Sequence, residues 1–86
     1  MHSQEFAADV VAALTANGVQ LNFLFDEMKN IRINAYNVLG QQLIEPIVGQ
    51  FGRQTITFGD RRYAANALVE VTDLNSGERT LIRLGR

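Results

Sequence analysis

The sequence predicts an all-β fold, an antiparallel β-sandwich of about seven strands, in one domain spanning residues 1–86. Three observations predict it. Turn-forming residues recur along the chain, at Ala16-Asn17-Gly18, Asp26-Glu27, Leu39-Gly40, Gly49 to Gly52, Gly59-Asp60 and Asn75-Ser76-Gly77. Short β-prone runs fill the intervals, and many short strands at such spacing mark sandwiches and barrels. Within the runs apolar and polar residues alternate, which is the period of a half-buried strand.

The first element is expected to be a strand over Asp9–Thr15 that turns at Asn17-Gly18, two residues that tolerate positive φ. A rival reading makes Glu5–Ala16 an amphipathic helix, because Phe6, Val10 and Leu14 recur at every fourth position. Residues 1–8 are expected to be a tail. The second strand places Val19, Leu21, Phe23 and Phe25 on the core face, with Leu24 breaking the pattern. Ile31, Ile33 and Ala35 repeat the alternation in a third, with Arg32, Asn34 and Tyr36 outward.

Leu43–Val48 is a fourth candidate, where Pro46 points to an edge or a bulge. Gln54–Phe58 is the fifth, with Ile56 and Phe58 inward. Leu68–Thr72 is the sixth, with Val69 and Val71 on one face. The seventh is Arg79–Leu84: Thr80, Ile82 and Leu84 face one way, Arg79, Leu81 and Arg83 the other.

Composition narrows the function classes. The formal net charge is −1, so the chain as a whole has no strong attraction for nucleic acid or an anionic membrane. The charge is uneven: Met1–Glu27 carries −4 and the remainder +3. No apolar run approaches the roughly 20 residues of a membrane span. The N-terminus lacks the basic and apolar regions of a secretory signal, so such a signal is expected outside these residues if the protein is exported.

Catalytic residue types are sparse. His2 is the only histidine and lies at the chain end; there is no cysteine; Ser3 and Ser76 are the only serines. An oriented acid–base pair needs a partner and a pocket, so no catalytic residues are expected. Asp26, Glu27, Asp60, Asp73 and Glu78 fall in turns without the dense spacing of a Ca²⁺ loop, and they are read as solvated acids. No metal or cofactor is expected. Gly49-Gln50-Phe51-Gly52 lacks the Lys-Ser/Thr and helix of a phosphate-binding loop. Arg61-Arg62-Tyr63 could grip an anion, although a solvated loop is the expected reading.

Two patches carry a family resemblance. The first is Ile31-Arg32-Ile33-Asn34-Ala35-Tyr36-Asn37-Val38-Leu39-Gly40-Gln41-Gln42-Leu43, in which a strand, an aromatic, an Asn, a Gly-containing turn and a polar residue precede a second strand. The second runs from Leu68-Val69-Glu70-Val71-Thr72-Asp73 through Gly77 to Thr80-Leu81-Ile82-Arg83-Leu84, a closing hairpin. From Val19 to Arg86 the chain resembles the C-terminal sorting domains of type IX (Por) secretion cargo in Bacteroidetes. It departs from them in having Ala65-Asn66-Ala67 where they usually have Gly-x-Tyr, in lacking a Pro-containing entry before the first strand, and in having Arg83 and Arg86 in place of a Lys-rich ending.

The resemblance implies an immunoglobulin-like sandwich that is recognised and carries out no chemistry. Its implied partners are the outer-membrane secretion translocon and a sortase. Its implied location is the periplasm in transit, then the cell surface or the medium. The implied partner-binding residues are Asn37, Gly40 and Gln41 in the turn, and Thr80, Leu81, Ile82, Arg83, Leu84 and Arg86 at the chain end. Exposed strand edges leave room for a homodimer. The alternative is a generic immunoglobulin-like accessory or adhesion domain.

Overall fold

The computed structural model describes residues 3–59 and 66–85. Arg61-Arg62-Tyr63, Asp60 and Arg86 lie outside them. The described chain is all-β apart from one short helix. Helix α1 (Ser3–Ala8) is followed by strands β1 (Val10–Thr15), β2 (Gly18–Tyr36), β3 (Ile47–Phe58), β4 (Leu68–Asp73) and β5 (Arg79–Arg83). The strands form one antiparallel sheet with the path β1-β2-β4-β5, and β3 on the other edge of β2.

The expected seven-stranded sandwich is therefore corrected to a single curled sheet of five strands. Two mergers account for the difference. The strands read at Val19–Phe25 and Ile31–Ala35 are one strand, β2. The strand read at Gln54–Phe58 lies wholly in β3, which begins just after Pro46 and takes in only Ile47 and Val48 of the one read at Leu43–Val48. The breakers Asp26-Glu27 and Gly49 to Gly52, expected as turns, lie inside β2 and β3. They lie opposite each other across the β2–β3 ladder: the pairing steps from Leu24↔Arg53 to Lys29↔Phe51. Four residues of β2 (Phe25, Asp26, Glu27, Met28) face only Gly52 on β3, so both strands bend together and neither reverses. Bulges of this kind bend a strand and increase its twist.

The bend is large. Nineteen residues of straight strand would span about 60 Å, yet the longest extent of the whole molecule is 34 Å. Its consequence is that β1 and β4 occupy the same edge of β2, one beyond the other. β1 pairs with Gly18–Phe23 and β4 with Ile31–Tyr36. Single bonds from Leu24 N to Asp9 O (2.8 Å) and from Leu74 N to Asn30 O (2.8 Å) extend the two ladders toward the bend.

The core fills the concave side. Val19, Leu21, Phe23, Phe25, Ile31, Ile33 and Ala35 all project into it from β2, joined by Val69, Val71, Phe51 and Leu84. The inward positions read from the alternation in β2 and β4 are thus those observed. Phe25 stacks on Phe23 (centroids 5.4 Å apart), and Phe23 meets Phe51 at 5.1 Å. Each buried Phe contributes on the order of 1.5–3 kcal/mol by burial, and such ring pairs add roughly 0.5–1.5 kcal/mol.

The N-terminal segment forms the expected strand, and the rival helix over Glu5–Ala16 holds only before Asp9. The strand lies at Val10–Thr15, and it turns through Ala16-Asn17 into Gly18. The helix is confined to Ser3–Ala8, within the residues expected to be a tail. Its Phe6 is buried and stacks on Phe25 at 5.6 Å. α1 packs on both β1 and β5, the two ends of the sheet path, and so covers the mouth of the curl.

Candidate functional site

The turn after β2 is built by Asn37. Its Oδ1 accepts bonds from the backbone N–H groups of Leu39 and Gln41, both at 2.9 Å, and its Nδ2 donates to Gln41 Oε1 at 2.8 Å. Main-chain bonds from Asn37 N to Gln41 O (2.9 Å) and from Gly40 N to Asn37 O (3.0 Å) close it. An Asn side chain bonding the backbone two residues on is an Asx turn. Gly40 completes it at φ 84°, a conformation that other residues adopt only with strain.

The polar groups of Asn37 and Gln41, expected to meet a partner, are thus engaged with each other. What the turn presents instead is Val38 and Leu39, 69% and 79% exposed. The sequence reading passed over both as turn residues. Two large apolar side chains inside an Asn-x-x-Gly turn are the signal that could have found them.

β5 separates the remaining assigned residues by face. Thr80 and Ile82 are partly buried, with Ile82 packed on the core, and Leu84 belongs to the core itself. A bond from Leu84 N to Ala67 O (2.9 Å) ties the strand end down. Leu81 and Arg83 are exposed on the outer face with Arg79. Of the C-terminal residues assigned to a partner, only Leu81 and Arg83 offer exposed side chains among the described residues.

Cross-strand pairing lays out the outer face in rows. Tyr36, Leu68 and Arg83 form one row, Asn34, Glu70 and Leu81 the next, and Arg32, Thr72 and Arg79 a third. Diagonal bonds link the rows. Glu70 accepts from the Tyr36 hydroxyl at 3.3 Å and from Arg79 at 3.0 Å. Burial, and then the Glu70 charge, push the Tyr36 phenol above its ordinary pKa. Asn34 Oδ1 accepts from Gln42 Nε2 at 3.0 Å. Thr72 Oγ1 is buried with no hydrogen-bond partner among the described residues.

A pocket of ≈ 350 Å³ opens between the turn and β5. Tyr36, Asn37, Val38 and Gly40 line it from the turn side, Asn66, Ala67 and Leu68 from the segment entering β4, and Arg83 from β5. Three residues assigned from sequence, Asn37, Gly40 and Arg83, are thereby brought to one place. Arg83 has no acidic partner within 4.0 Å among the described residues. The depression over Gln42–Pro46 carries only Glu45 as a charged group among the described residues.

The turn acids have structural work. Asp73 Oδ1 accepts from the amides of Asn75 (2.9 Å) and Ser76 (3.3 Å), and its Oδ2 lies 3.7 Å from Lys29 Nζ. Burial alone would push its carboxyl up. The Asn75 and Ser76 bonds and the Lys29 charge outweigh that and hold it below the usual carboxylate value. Among the described residues no three His, Cys, Asp or Glu side chains converge as a metal site would require, and no helix is long and apolar enough to cross a membrane.

Comparison with known proteins gives no family model that matches the chain, and no curated protein or solved structure that matches it.

Proposed function

We propose that the chain is a non-catalytic recognition module, a C-terminal sorting domain read by the outer-membrane type IX secretion machinery. The observation that carries this reading is the convergence of the Asn37–Gln41 turn and β5 on one pocket, at an end of the molecule where Val38, Leu39 and Arg83 are exposed. Recognition there would combine an apolar knob with a guanidinium donor, as partner surfaces commonly do. The cargo would carry any activity; the domain would carry the address, with the translocon and then a sortase as its readers.

The test is an export assay in a Bacteroidetes host, with all 86 residues fused to the C-terminus of a periplasmic reporter. Residues before Val19 belong in the fusion, because Phe6 and Val10 are part of the core. Surface arrival that depends on the domain supports sorting.

A second reading, an accessory or adhesion domain, is favoured by the strand count: one curled sheet of five strands departs from the sandwich that the resemblance implies. Such a domain could pair with a second copy along β3, whose twelve residues bond only to β2 among the described strands and carry Arg53 as their one charge. A reporter that stays in the periplasm while the domain is folded decides for this reading.

A further inference from the structure

Resting on the reading that this end of the molecule meets a partner, we propose that the pocket between the turn and β5 takes the C-terminal carboxylate of a peptide ending in an aliphatic residue. Arg83 is the only cationic side chain lining the pocket among the described residues. Its planar fork matches a carboxylate through two parallel N–H···O bonds. With a single guanidinium among the described lining residues, the site suits a monoanion better than a phosphate dianion. Glu70, two residues along β4 from the lining residue Leu68, is already engaged by Arg79 at 3.0 Å and by the Tyr36 hydroxyl at 3.3 Å, which reduces its repulsion of an incoming anion.

The rest of the lining is complementary to one residue. Val38, Ala67 and Leu68 supply an apolar wall, and the Asn66 amide can bond a peptide group beside it. A volume of ≈ 350 Å³ lies at the small end of ligand pockets, enough for a terminal residue and its amide. Capture of a terminal carboxylate is an established mode of peptide recognition.

The experiment titrates the full ¹⁵N-labelled chain with N-acetyl-leucine and with N-acetyl-leucinamide, and follows amide shifts by NMR. The acid is expected to move Val38, Gly40, Asn66 and Leu68 saturably, with a Kd on the order of 1–10 mM for so small a fragment. The amide is expected to bind at least about tenfold more weakly, since it lacks the charge. Arg83→Gln should lose binding, Arg83→Lys should fall between because it keeps the charge without the fork, and Arg53→Gln, on the far strand, should match the wild type. The spectra report directly that each variant is folded.

Equal binding of acid and amide, or undiminished binding by a folded Arg83→Gln chain, overturns the carboxylate assignment. Inorganic phosphate binding as well as N-acetyl-leucine overturns the monoanion argument, and no saturable shift overturns the pocket itself. None of these outcomes touches the sorting reading, which is read separately by export.

Discussion

Gly52 on β3 lies against Met28 on β2, so closely that a Cβ on Gly52 would stand 2.9 Å from Met28 Sδ. This contact sits where four residues of β2 face one of β3, at the bend that gives the sheet its curl. Gly52→Ala is expected to be near neutral in the wild type, because the exposed Met28 side chain must swing aside, and to stabilise by about 0.4–1 kcal/mol in a Met28→Ala background, where the lost backbone freedom of the unfolded chain dominates. Urea unfolding of the four chains measures the coupling. Additive effects would contradict the contact.

Phe6 joins α1 to the ring stack through Phe25, at 5.6 Å. Phe6→Ala is expected to cost about 3 kcal/mol, a large share of the roughly 4–13 kcal/mol available to a domain of this size. Hydrogen exchange should show α1 and the adjoining ends of β1 and β5 losing protection first. A cost under about 0.5 kcal/mol would show that the helix is not part of the core.

Thr72 has its hydroxyl buried without a partner among the described residues, which carries a desolvation penalty. Thr72→Val keeps the shape and removes the penalty, so it is expected to stabilise by about 1 kcal/mol. Thermal unfolding measures it, and a loss of stability would mean that the hydroxyl is satisfied in solution.

Asp73 makes the acid limb of stability predictable. Its folded carboxyl binds a proton less readily than the unfolded one. Its contribution is therefore fully present above the unfolded value near about 3.9, and is lost as pH falls below that through the folded value. Asp73→Asn should lower stability at neutral pH and flatten the decline below about pH 4. Urea midpoints across that range in both chains provide the check; parallel declines would contradict the assignment.

How much of this was legible in the sequence follows from what alternation can encode. The inward positions of β2 from Val19 to Ala35, and the two faces of β5, were readable because a strand's side-chain period is local. Whether Asp26-Glu27 reverses the chain or bulges it was not readable, because that depends on Gly52, a residue far along the chain that supplies the room. The four-residue spacing of Phe6, Val10 and Leu14 misled, because only Phe6 lies in the helix while Val10 and Leu14 belong to β1. At the site, the Asn37-to-Gln41 pattern announced a turn but not its consequence: the conspicuous polar residues bond each other and leave Val38 and Leu39 outside.

The account turns on that exposed tip, and the most direct measurement is export of the 86-residue fusion carrying Leu39→Asp. Leu39 is 79% exposed, so the substitution should leave stability within about 0.5 kcal/mol, which urea unfolding of the same chain verifies. The account predicts that the folded variant stays in the periplasm while the wild type, and a control with Leu14→Asp on the distant strand β1, reach the surface. Surface arrival of Leu39→Asp at the wild-type level would contradict it.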